Sequence, residues 1–311
     1  MTTQPSTPPK KLLNLPIWPN GNLNVTVKPL TGGRSNEAYI ATDGCKEYVV
    51  RFCHDIPVHH VNRDFEAMVS KASADAGFSP DLVFYEMKND EGIMVFDFIK
   101  AKTYDAKDVV ENLNPLTNRL RDFHTQVAER VSGHARLFNV FHVISDYIAT
   151  LREGNSPYIK DLEIYHALSS KLKAVQIPEL IIFGHNDLVP QNIMAKAEKD
   201  GEKIFFIDFE YAAFSTPLSD LANLASNSAF TEEQDLQLLE LYFNKKPKAE
   251  QIKALAALKV ALMLRETMWS MVSESHLNVP GVDYLQYTNE CLEALQKELN
   301  TYQTKYGKLL K

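Results

Sequence analysis

The pattern of the chain changes character part-way along, and that change limits the architectures open to it. From Asn24 to about Ile99, short runs rich in β-formers surround one helical stretch. Val25 and Val27, Ala38 to Ala41, Tyr48 to Phe52, Leu82 to Tyr85 and Ile93 to Phe98 read as strands. The helix is expected over about Val61 to Ala76, ended by Gly77 as its C-cap shortly before Pro80. After Asn114 the pattern turns helical. Pro115 is placed to start a helix with Leu116, Leu120, Phe123 and Val127 on one side. Further helices are expected around 138–153, 160–174, 217–228, 232–244, 248–275 and 283–300. Strands followed by helices predict an α+β protein of two lobes. Residues 21–99 form the small antiparallel β lobe with one helix, residues 100–311 the larger, mainly helical lobe, and Asp97 to Thr103 the crossing.

The helical half has one interruption. Leu180 to Phe183 and Ile204 to Ile207 read as strands, and the polar loop between them holds His185-Asn186-Asp187-Leu188-Val189-Pro190-Gln191-Asn192. Ile207-Asp208-Phe209-Glu210-Tyr211 follows on the second strand. Phosphoryl transfer asks for a carboxylate that orients and deprotonates the attacking hydroxyl, and for ligands that hold Mg²⁺ on the phosphates. Asp187 fits the first role. Asn192 offers a neutral carbonyl oxygen to a hard cation, and Asp208 a charged one. Singly, each residue is an ordinary turn former; the meaning lies in the combination, with His185 two residues before Asp187.

On these residues the chain resembles the choline/ethanolamine kinase family, within the wider aminoglycoside-phosphotransferase and protein-kinase-like group. His-Asn-Asp-Leu followed by Ile-Asp-Phe-Glu-Tyr is choline-kinase-like wording, whereas aminoglycoside kinases more often read His-Gly-Asp and Ile-Asp-Trp. The resemblance implies a protein-kinase-like fold, ATP as phosphoryl donor, Asp187 as catalytic base, and Asn192 with Asp208 as Mg²⁺ ligands. His185 is expected to brace the catalytic loop through hydrogen bonds. Asp220, in Leu218-Ser219-Asp220-Leu221-Ala222, resembles the family aspartate that opens the next helix and ties down this loop; as a carboxylate in a first helical turn it also suits the macrodipole.

The nucleotide side is expected in the β lobe. Thr31-Gly32-Gly33-Arg34-Ser35-Asn36 lies between two expected strands, where Gly32 and Gly33 allow a tight turn whose N–H groups approach phosphate. Alone this is a hairpin signal, and it departs from the Gly-x-Gly-x-x-Gly of protein kinases. Choline-kinase-like proteins resemble it in carrying Gly-Gly-x-Ser-Asn there, so Gly32, Gly33, Ser35 and Asn36 are nucleotide-binding candidates. Arg51 occupies the place where many kinases carry a phosphate-binding lysine, and Glu66 is expected to pair with it.

For the acceptor, Leu262, Glu266 and Trp269 share one face of the helix around Leu255 to Ser275. Tyr284 and Tyr287 follow on the next helix. Trimethylammonium groups gain roughly 0.5–2 kcal/mol from each aromatic face, aided by a nearby carboxylate. Trp269 with Tyr284, Tyr211 and Glu266 or Glu210 is the candidate cage, and Met268-Trp269-Ser270-Met271-Val272 with Val282-Asp283-Tyr284 resembles the choline-kinase C-terminal region. One departure stands out: eukaryotic choline kinases carry a second tryptophan one turn earlier, where this chain has Glu266.

Composition reads as that of an ordinary soluble protein. The formal net charge is −7 with no basic stripe, which speaks against nucleic acid as a partner and tolerates a cationic substrate. The longest apolar run, Ala254 to Leu264, is broken by Lys259 and falls short of the roughly 18 residues of a membrane span. Met1 to Lys10 is polar and Pro-rich, and residues 1–20 are read as a disordered tail. Cys45, Cys53 and Cys291 suit free thiols in the cytoplasm. The expected partner is a small molecule, choline; the sequence leaves the oligomeric state open. Ethanolamine, thiamine or an aminoglycoside is the alternative acceptor. A catalytically inactive kinase-like binding module is a further alternative, which has no chemical reason to keep Asp187, Asn192 and Asp208 together.

Overall fold

In the computed structural model, which describes residues 9–18, 21, 24–30, 35–199 and 201–309, two compact units emerge: Met1–Lys102 with Ala195–Glu210, and Thr103–Met194 with Tyr211–Lys311. The first opens on a short helix, α1 (Lys10–Leu13), then β1 (Thr26–Leu30), β2 (Glu37–Thr42) and β3 (Glu47–Cys53). Helix α2 (Arg63–Asp75) leads to β4 (Leu82–Lys88) and β5 (Glu91–Asp97). The five strands form one antiparallel sheet in the order β1-β2-β3-β5-β4. On β3, Tyr48 and Val50 are buried, and the strand period of two turns Arg51 to the other face, in register with Ala38 and Met94.

Helix α2 begins where Asn62 caps it, its side chain accepting from Phe65 N–H at 2.9 Å. It ends in a Schellman arrangement at Gly77 (φ +75°), with Gly77 N–H donating to Ala74 O at 2.7 Å and Phe78 N–H to Ser73 O at 2.8 Å. The expected tail does not hold over residues 9–18. Leu12 and Leu15 are buried against Tyr48, Val50 and Val95, and Trp18 meets Tyr48 edge-on at 5.7 Å. Leu12, Leu15 and Trp18 recur every three residues and so offer one apolar side, a signal that the polar composition before Lys10 masked.

The second unit starts within β6 (Lys102–Thr103) and runs through α3 (Ala106–Glu111), α4 (Leu113–Gln126), α5 (Val140–Glu153), α6 (Leu162–Lys173) and β7 (Ile182–Gly184). Helix α3 was not expected; it is built by a capping box, Asp105 and Asp108 each accepting from the other's backbone N–H. The strand expected from Leu180 starts two residues later, and Leu180 and Ile181 are exposed. The chain then forms β8 (Ile193–Glu198), which the sequence reading passed over, and β9 (Gly201–Phe206) beside it. Ala195–Glu210 belongs to the first unit, where Phe206 N–H donates to Phe78 O at 2.7 Å, and not to the helical lobe to which a single cut at residue 99 assigned it.

From Tyr211 the second unit resumes with β10 (Ala213–Ser215), α7 (Pro217–Asn227), α8 (Glu232–Phe243), α9 (Ala249–His276) and α10 (Tyr284–Tyr306). Strand β10 pairs antiparallel with β7, Ala213 opposite Gly184. Helix α9 is buried on every side through its middle, from Ala254 to Ser273, as expected of a helix that others pack around. Among the described residues no helix is long and apolar enough to cross a membrane.

Candidate active site

In the second unit, the loop after β7 is held from below by one carboxylate. Asp220, fully buried in α7, accepts from His185 N–H and Asn186 N–H, each at 2.7 Å, through separate oxygens. His124 Nε2 of α4 lies 2.9 Å from Asp220, and its Nδ1 lies 2.7 Å from the Tyr242 hydroxyl of α8. Burial pushes the Asp220 carboxyl up, but the hydrogen bond and charge of His124, with help from His185, outweigh it and hold the group below the ordinary aspartate range.

Asn186 is left-handed (φ +61°), an unusual state for a residue with a side chain. Its amide donates to Tyr211 O at 3.1 Å and Ala213 O at 3.2 Å, which pins the strained residue immediately before Asp187. Asp187 itself is partly exposed. Asn192, buried, donates from Nδ2 to the Asp187 backbone O at 2.9 Å and to its carboxylate at 3.2 Å. The Asn192 carbonyl oxygen is therefore the atom left to face a cation. His185 is fully buried, its ring 6.2 Å from that of Phe123.

The first unit gathers a second set. Arg51 Nη2 pairs with Glu66, and Nη1 reaches Asp208 Oδ1 at 2.9 Å. Burial disfavours the Arg51 charge, but Glu66 and Asp208 more than compensate and raise its pKa. Arg63, fully buried, bridges Glu66 Oε2 at 2.6 Å and Glu210 Oε2 at 2.8 Å. Glu66 is pushed up by burial and pulled further down by Arg51 and Arg63, so it stays ionised. Ser35 Oγ donates to Glu210 at 3.3 Å and accepts from Asn36 Nδ2 at 3.0 Å. Asp208 is left-handed at φ +66°. Gly32 and Gly33 lie outside the described residues.

The aromatic candidates come together on α9 and α10. Trp269 Nε1 donates to the Tyr211 hydroxyl at 2.9 Å, and its ring lies 6.3 Å from Tyr284 and 6.2 Å from Tyr287. Glu266 accepts from the Tyr287 hydroxyl at 2.6 Å and from Arg265 Nη1 at 2.9 Å. Glu266 is thus the carboxylate of this cluster; Glu210 is committed to Arg63 and Ser35 in the first unit. The sequence reading missed four contributors: His124, Tyr242, Arg63 and Arg265. The available signal was a charged or imidazole group on an otherwise apolar helix face, as with Arg265 in the run Leu262 to Met268.

These units define a protein-kinase-like fold. An ethanolamine kinase of Plasmodium vivax superposes with a TM-score of 0.75 at 17% identity, over 95% of this chain and 87% of its own. The choline kinase LicA of Streptococcus pneumoniae superposes with a TM-score of 0.69 at 24% identity, over 88% and 95%. Protein LicA of Haemophilus influenzae is 25% identical over 284 residues, 86% of this chain and 78% of that protein. The protein is a phosphotransferase that takes an alcohol group as acceptor. The sequence model of the choline/ethanolamine kinase family matches residues 27–296, and the chain belongs to that family.

Proposed function

We propose that the chain transfers the γ-phosphate of ATP to the hydroxyl of choline, in the presence of Mg²⁺, giving phosphocholine. The observation that carries this reading is the Asp187 loop: a partly exposed carboxylate that accepts from a buried Asn192 and follows a strained Asn186 whose N–H is anchored on Asp220. Such bracing fixes the base before substrate arrives, which is where most of the advantage in phosphoryl transfer lies. Asp187 would orient the acceptor hydroxyl and take its proton as the oxygen bonds to the γ-phosphorus and the bond to ADP breaks.

Asn192 of the second unit and Asp208 of the first are the proposed Mg²⁺ ligands. Their donors fit: two hard oxygens, one carbonyl and one carboxylate, with phosphate oxygens completing the shell. No group of three or more His, Cys, Asp or Glu suited to a metal occurs among the described residues, and a phosphate-borne Mg²⁺ needs none. With Mg²⁺ bound, charge on the phosphate oxygens is neutralised. Arg51, kept charged and aligned by Glu66 and Asp208, would supply a fixed guanidinium to the same phosphates. The Trp269, Tyr211, Tyr284 and Tyr287 rings, with Glu266, would receive the trimethylammonium.

Ethanolamine is the second reading, favoured by Glu266 standing where a second cage tryptophan is expected. The test is ATP consumption by the purified protein with Mg²⁺ against choline, ethanolamine, thiamine and an aminoglycoside, with product masses read. Strong preference for choline is expected; activity confined to another acceptor would keep the chemistry and discard the aromatic cage.

A further inference from the structure

Behind Arg51, the first unit holds a run of alternating charges. Asp208 Oδ1 accepts from Arg51 Nη1 at 2.9 Å, and Arg51 Nη2 pairs with Glu66 Oε1. The other Glu66 oxygen, Oε2, accepts from Arg63 Nη1 at 2.6 Å, and the same nitrogen donates to Glu210 Oε2 at 2.8 Å. Asp208 and Glu210 stand two positions apart in the chain, so the run closes on itself. Glu66, held at both oxygens, has little freedom to turn. Arg63 is fixed at a further point, its Nε donating to His54 O at 2.8 Å. Burial disfavours the Arg63 charge, but Glu66 and Glu210 outweigh that cost. Arg51 and Asp208, with side chains 11% and 32% exposed, form the open end of the run, whereas Arg63 is fully buried and touches no ligand.

Three carboxylates thus share two guanidiniums. Take Arg63 away, and Glu66 and Glu210 become two buried carboxylates, close enough for one nitrogen to bridge, with Arg51 as the remaining cation of the run. A guanidinium drawn back onto both has less charge and fewer donors to offer a phosphate. Resting on the reading of Arg51 as a phosphate ligand, we propose that Arg63 is a positioning residue of the nucleotide side: by neutralising Glu210 and the second oxygen of Glu66, it leaves the charge and donors of Arg51 available to the phosphates of ATP.

The experiment measures the dissociation constants of ATP and of adenosine, with Mg²⁺ present, by displacement of a fluorescent nucleotide. The ratio of adenosine to ATP reads what the phosphates alone contribute. Arg51→Met should lower that ratio by about tenfold or more, the loss of a charge-assisted hydrogen bond. Arg63→Met should also lower it by about tenfold, with the adenosine constant unmoved, and should add almost nothing once Arg51 is already replaced by Met. A residue that merely supports the fold would weaken both ligands together, or add its effect in full. Arg63→Lys keeps the charge on a shorter stem without the Nε anchor, and should fall between wild type and Arg63→Met. Should Arg63→Met not fold, Arg63→Lys carries the same comparison. A ratio that holds in the folded Arg63 variant, or a fall that adds in full to that of Arg51→Met, overturns the proposal while the reading of Arg51 stands. A ratio unmoved by Arg51→Met removes Arg51 from the phosphates, and this inference with it.

Discussion

At the scale of single residues, Asp220 braces the candidate site from within the fold, because it satisfies two backbone donors and His124 at once. Asp220→Asn keeps the shape but turns an amide N–H₂ toward one of those donors. We expect a loss of about 2–4 kcal/mol, read as a lower urea midpoint. The carboxyl is held below its ordinary range in the folded chain, so as pH falls the unfolded chain takes up the proton first. The stabilisation is therefore complete above about pH 4 and is lost as pH drops through the folded value. The wild-type midpoint should fall more steeply than that of Asp220→Asn below about pH 4; parallel profiles would contradict this account. Asp187, Asn192, Asp208 and Asp220 stood out in sequence because their spacing is local or the family wording is short. Arg63, His124 and Arg265 did not. Arg63 meets Glu210 across 147 positions and His124 meets Asp220 across 96, and no window of sequence holds both partners.

Among the elements, the β7–β10 pair sets how closely the loop can approach α7. A Cβ on Gly184 would lie 2.4 Å from Ser215 Oγ and 3.1 Å from both Asn186 Oδ1 and Asp220 Oδ2. Gly184→Ala should cost about 1–3 kcal/mol through overpacking. It should also lower turnover by up to about a hundredfold, since the displaced atoms position Asp187; wild-type melting and turnover in that variant would mean the contact is not restrictive. The elements with strong periodicity were legible. The misreadings came where a short signal was overruled by composition: α1 was absorbed into a polar tail, α3 depended on a capping box, and β8 sits between a loop residue, Asn192, and a charged turn.

On the scale of the whole molecule, the chain leaves its first unit at Lys102 and returns for Ala195–Glu210, so Asp208 belongs with Arg51 and Glu66 while Asp187 and Asn192 belong to the helical unit. A two-lobed α+β architecture was readable from the order of strands and helices; the return was not, because pattern reports what a segment becomes and not which unit receives it. In the function proposed above, the first unit carries the guanidinium of Arg51 and the carboxylate of Asp208, and the second carries the base, Asp187. The most direct test of that division is the turnover of Asp187→Ala with Mg²⁺ and ATP, on a variant shown by its melting curve to be folded. A fall of about 10²–10⁴-fold with little change in the KM for ATP is expected of a lost general base. Substantial residual turnover would mean that the base is a different residue.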